Sequence, residues 1–73
     1  PTGFSPTRGT VVVRIVVNAD GKVIEATQRL RGTNVTDSRT VQAAIRAALA
    51  TRFNAQPGAA DQEGTITYHF DIQ

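Results

Sequence analysis

Between Thr10 and Asn18 the chain reads TVVVRIVVN, and this run restricts the fold more than any other part of it. Alternate residues of a strand point to opposite faces. Val11, Val13, Ile15 and Val17 fall on one face, and Thr10, Val12, Arg14, Val16 and Asn18 on the other. Because valine occupies both faces, the run predicts a strand in the middle of a sheet.

Asn18-Ala19-Asp20-Gly21 follows as a turn, with Gly21 free to take the positive φ that closes a type I turn with a bulge. Residues 22–30 (KVIEATQRL) then read as a second strand, on which Ile24, Ala26 and Leu30 share a face interrupted by Gln28. Two strands joined by a tight turn predict an antiparallel hairpin. Residues 31–37 form a loop whose end carries helix-start chemistry, since Thr36, Asp37 or Ser38 can accept a bond from a free backbone N–H. From there a helix is predicted to about Arg52 or Phe53. Its stripe is Val41, Ala44, Ile45, Ala48, Leu49 and Phe53, with Arg39, Gln42 and Arg46 opposite; Arg46 and Arg52 suit the dipole at its end.

After a loop broken by Pro57-Gly58, residues 64–72 (GTITYHFDI) alternate cleanly. Ile66, Tyr68, Phe70 and Ile72 face inward, and Thr65, Thr67, His69 and Asp71 outward. The order is strand, strand, helix, strand. The expected fold is therefore α+β: a three-stranded antiparallel sheet in the order 2-1-3 with one helix packed on one face. Residues 1–9, with two prolines and two glycines, read as an extended lead-in, and residues 10–73 as the domain proper. In that order the last strand is an edge. Lacking Pro and Lys to blunt it, the segment Thr65, Ile66, Thr67, Tyr68, His69 and Phe70 is the candidate docking strand for an extended peptide.

At 73 residues there is room for one core, which must be aliphatic, because the chain has three Phe, one Tyr and no Trp. The absence of cysteine excludes disulfides, thiolate metal sites and a thiol nucleophile. Apolar runs such as Val11–Val13 fall far short of the ~20 residues that span a bilayer, and no stretch of these residues reads as a signal peptide. With no Met and a start at Pro1, the chain reads as processed or, in preference, as a domain cut from something longer. Seven Arg and one Lys against six carboxylates leave a net charge of +2. That field is too weak to favour nucleic acid, and no exposed aromatic platform reads single strands.

Several pieces in combination resemble the C-terminal domain of TonB-type energy transducers. They are Gly9 through Val17 (GTVVVRIVV), Asp20-Gly21-Lys22-Val23, an alanine-rich helix leading to Arg52-Phe53-Asn54, and Gly64 through Phe70 (GTITYHF). The Arg31-Gly32-Thr33 loop and the Thr36-Asp37-Ser38 helix start resemble one branch of that family, and the similarity covers roughly residues 9–72. Many members carry a Tyr-Pro pair and a short helix before the first strand; here Phe4-Ser5-Pro6 is the nearest counterpart.

The resemblance implies a periplasmic domain anchored to the inner membrane by a segment not present in this chain. A proton-driven motor complex acts on the membrane end. The domain grips the TonB box of an outer-membrane transporter, which adds as a strand along Thr65 to Phe70. The implied protein is not an enzyme and uses no cofactor or metal.

Other features are weak as sites. His69 and Asp71 share a face, but no nucleophile or second histidine accompanies them. Asn34-Val35-Thr36 matches a glycosylation acceptor by chance, and Gly21-Lys22 lacks the rest of a phosphate loop. The Arg set at 29, 31, 39 and 46 reads as a solvated face. Val12 and Val16 point away from the helix, so either the lead-in covers them, with Phe4 as plug, or they serve self-association. The alternative function is accordingly a structural or oligomerising module, a homodimer pairing through the same sheet edge.

Overall fold

A computed structural model describes residues 7–34 and 37–72 of the chain, with side chains placed for residues 9–34 and 37–70. The elements are β1 (Thr7–Val17), β2 (Val23–Arg29), α1 (Ser38–Ala50) and β3 (Gln62–Ile72). They form one antiparallel sheet in the order β2-β1-β3, as the sequence predicts. β1 begins at Thr7, so residues 7–9 of the expected lead-in belong to the strand. Phe4, the cap candidate Thr36 and the side chains of Asp71 and Ile72 lie outside the described residues.

The inward face of β1 is the odd-numbered one. Val11 and Val13 are fully buried, Ile15 nearly so, and they meet Val23, Val41, Ala44 and Ala48 in the core. Val17, Ala26, Ile45, Ile66, Tyr68 and Phe70 pack around it half-buried. α1 lies over β1 and β2. The inward residues of β3 therefore sit at the margin of the helix-covered area and keep part of their surface open.

Asn18 organises the hairpin turn. Its Oδ1 accepts from the N–H groups of Asp20 and Lys22, each at 3.0 Å, and its own N–H donates to the Lys22 carbonyl at 2.9 Å. Gly21 has φ +82°, as the turn requires. Just past the turn the β1–β2 register shifts: Val17 pairs with Val23, yet Val16 pairs with Glu25. The bulge leaves Ile24 without a partner and turns Val23 into the core. Ile24 is 48% exposed and Val23 only 3%. The expected inward set of Ile24, Ala26 and Leu30 is thus corrected to Val23, Ala26 and Gln28. Leu30 lies beyond the strand end and is 81% exposed.

Asp37 caps α1, accepting from the Arg39 N–H at 3.0 Å. The helix ends at Ala50, short of the expected Arg52 or Phe53. Thr51 takes extended dihedrals, and its hydroxyl donates to the Ala47 carbonyl at 2.8 Å. Beyond it the chain pairs with the hairpin turn instead. Arg52 bridges Lys22, the Phe53 N–H donates to the Gly21 carbonyl at 2.9 Å, and the Gln56 N–H to the Ala19 carbonyl at 2.7 Å. These bonds outcompete another helical turn, so Phe53 leaves the apolar stripe. Phe53 is 43% exposed and Leu49 46%. With the helix ending at Ala50, its last turn carries no basic residue, and the expected dipole role of Arg46 and Arg52 does not hold.

Candidate functional site: the open edge of β3

β1 and β3 pair from Thr7↔Ile72 to Val17↔Gln62 without a register shift. Which β3 groups face outward follows from β1. The Thr10 N–H donates to Asn34 Oδ1 at 2.7 Å, and the Thr10 carbonyl accepts from the Asn34 N–H at 3.0 Å. The Val12 N–H donates to the Thr33 hydroxyl oxygen at 2.9 Å. Thr10 and Val12 thus spend their main-chain groups on the β2 side, and the odd residues of β1 bond β3. In an antiparallel ladder these roles alternate. Gly64, Ile66 and Tyr68, opposite Ile15, Val13 and Val11, exchange bonds with β1. Glu63, Thr65, Thr67 and His69 turn their N–H and C=O groups away from it. Among the described residues no strand meets them.

Of the six residues picked out from the sequence, all lie on β3, and they divide by role. Thr65, Thr67 and His69 offer outward main-chain groups and exposed side chains. Ile66, Tyr68 and Phe70 bond β1 and place half-buried side chains on the helix side. β2 provides the other sheet edge, but it is shorter and bulged at Ile24, which blunts it. The β3 edge has neither defect.

The loop after β2 closes the exposed half of β1. The Thr33 hydroxyl reaches the Arg29 carbonyl at 2.5 Å, and Gly32, at φ +89°, lies so close to Val12 that an added Cβ would come within 3.1 Å of its side chain. Val12 is consequently half-buried under residues 30–34.

On the face away from α1, Arg14 links all three strands. Its guanidinium hydrogen-bonds Glu63 of β3, and its Nη1 lies 3.8 Å from Glu25 Oε2 of β2. The hydrogen bond to Glu63 and the charge of Glu63 hold the guanidinium pKa above its ordinary value; desolvation opposes them, and the charge of Glu25 adds the least. All three side chains are exposed, so the pairs add little stability. They do favour one register, because Arg14 sits diagonally between the two carboxylates. His69 has the Thr10 hydroxyl 3.4 Å from its Nδ1. Among the described residues no three His, Asp or Glu side chains converge.

A cleft of about 400 Å³ opens at the start of β3. Ile15, Val17 and Ile66 form its floor, and Phe53, Ala59 and Ala60 stand across from the strand. Sequence reasoning missed this feature. It depends on where the 53–60 loop docks, and the only local trace of it is a glycine at position 64, inside an otherwise regular alternation.

No family model, curated protein or solved structure matches this chain.

Proposed function

We propose that this chain is the partner-gripping domain of a TonB-type energy transducer, which takes the TonB box of an outer-membrane transporter as an added strand along β3. The observation that carries the proposal is the long, unbulged β3 edge, with the main-chain groups of Glu63, Thr65, Thr67 and His69 turned outward. An extended segment is the chemical complement of such an edge. On this reading the domain works in the periplasm, held to the inner membrane and its proton-driven motor by parts of the protein outside this chain. Its role is mechanical, and no cofactor enters it.

The energetics fit a grip that engages and releases. Four or five main-chain bonds at ~1 kcal/mol each contribute roughly 4 to 5 kcal/mol. The loss of translational and rotational freedom costs about as much or more. Edge pairing alone is therefore weak, and side-chain contacts or tethering must supplement it. Pulling along a strand loads all its main-chain bonds together, which suits force transmission better than their sum suits tight equilibrium binding.

Titration with a transporter-derived TonB-box peptide, followed by amide chemical shifts, tests the proposal. Shifts concentrated at Thr65, Thr67 and His69 are expected. Shifts confined to β2 or α1 while those amides stay silent would overturn it.

A second reading is a self-pairing module, favoured by Val16 of the central strand, which stays only half-buried on the face away from α1. It predicts concentration-dependent sedimentation of the chain alone, suppressed by Thr67→Pro.

A further inference from the structure

Main-chain pairing accounts for only part of the cleft at the start of β3. Glu63, Gly64 and Thr65 line it in succession. Neighbouring side chains of a strand point to opposite faces, so a space bounded by three residues in a row is bounded by the main-chain edge itself. On that edge Glu63 and Thr65 turn their hydrogen-bonding groups outward. Behind the edge, on the helix side, lies the apolar floor of Ile15, Val17 and Ile66.

Gly64 keeps the strand side of this space open. Its φ is outside the left-handed region, so the backbone does not demand glycine there. A Cβ added to it meets no atom within 4 Å among the described residues. What glycine supplies is a missing side chain between Gln62 and Ile66 on the inward face. At about 400 Å³ the cleft has the liquid volume of roughly a dozen waters, ample for a large side chain.

We propose that this cleft sets the register of the added strand by receiving one large apolar side chain, of the size of Leu, Ile, Met or Phe, from the guest residue aligned with Gly64. The inference rests on the strand-addition reading and adds to it a reason for one register over others. A guest residue beside Gly64 shares its face and directs its side chain to the helix side. There it meets no cross-strand neighbour and packs against Ile66, Val17 and Phe53. The guest's main chain meanwhile bonds Glu63 and Thr65, groups that a free apolar molecule would leave unpaired. Gln62 Nε2 donates to Gln56 Oε1 at 3.4 Å, and both residues add polar groups to a lining that is otherwise largely apolar.

The test uses ten-residue TonB-box peptides from an outer-membrane transporter and their single-alanine versions, titrated against the chain and two variants. One alanine substitution is expected to weaken binding roughly tenfold or more, well beyond its neighbours. Gly64→Val fills the cleft from its floor, and with it the parent peptide and that alanine peptide should bind alike. Phe53→Ala removes the opposite wall and should weaken the parent peptide while leaving the alanine peptide unchanged, which decides the matter should Gly64→Val fail to fold. A flat alanine scan, with the amides of Thr65 and Thr67 still shifting, overturns the register anchor and leaves strand addition standing. No amide shift with any peptide overturns both. A dimer of the chain alone that vanishes in Gly64→Val, with the peptide scan flat, assigns the cleft to a second copy and also overturns the proposal.

Discussion

The Phe53 main chain packs directly on Gly21: its N–H donates to the Gly21 carbonyl at 2.9 Å, and a Cβ on Gly21 would overlap the Phe53 carbonyl oxygen. With the Arg52–Lys22 bridge and the Gln56–Ala19 bond, this contact ties the chain leaving α1 to the hairpin turn and so positions the wall of the cleft. Gly21 therefore answers two demands at once, a positive φ and a close approach. Gly58 has nearly the same dihedral, φ +83°, but open space around it. Gly58→Ala should cost about 1 kcal/mol from the left-handed backbone alone. Gly21→Ala should cost about 2 kcal/mol or more, since the 53–56 segment must also move. Urea midpoints of the two variants check this, and equal losses would remove the packing contribution.

The bulge in β2 yields a pair of neighbouring substitutions with opposite outcomes. Val23 is buried beside Val17, whereas its neighbour Ile24 is half exposed. Val23→Ala should destabilise by about 2 kcal/mol, and Ile24→Ala by less than about 1 kcal/mol despite removing more carbon. An unbulged strand would reverse the order, so thermal or urea denaturation of both variants reports on the register directly.

Asp37 is the sole side-chain cap found at the start of α1 among the described residues, through its bond to the Arg39 N–H. Replacement by alanine should lower stability by about 1 kcal/mol, and by asparagine much less. Circular dichroism during urea unfolding measures both. Because no acidic residue occupies the first turn, nothing nearby substitutes for the lost carboxylate.

Proline separates the two kinds of β3 residue. The Thr67 N–H points outward, so Thr67→Pro removes no bond to β1; the Ile66 N–H bonds β1, and Ile66→Pro breaks the ladder. Thr67→Pro is expected to keep a folded spectrum and lose the guest-induced amide shifts. Ile66→Pro is expected to cost about 3 kcal/mol or more and to unfold much of the population of so small a domain. A Thr67→Pro protein that still binds peptide at β3 would argue against edge pairing.

Much of the architecture was legible along the chain. Valine on both faces of residues 11–17 demanded a central strand, and the alternation of residues 65–70 placed Ile66, Tyr68 and Phe70 inward. Asp37 was among the cap candidates for the same local reason it caps the helix. The edge followed from the strand order, because a sheet with β1 in the middle leaves β3 flanked on one side.

Two things were not legible, and each depends on contacts that reach beyond a residue's own strand or helix. The inward role of Val23 arises from a bulge, which inserts one residue and inverts the face assignment beyond it without any change of composition. The helix stops at Ala50 because residues 52–56 find hydrogen-bond partners in the turn at 19–21. Local propensity does not encode that competition.

By itself, then, the sequence determined the elements, their order and the strand left without a neighbour, since periodicity and turn chemistry act over a few residues. Only the tertiary structure decided which main-chain groups of β3 face outward and where the cleft lies. The first depends on the hydrogen-bond phase of β1, set by Asn34 and Thr33 bonding Thr10 and Val12. The second depends on the 53–60 loop docking beside a residue with no side chain.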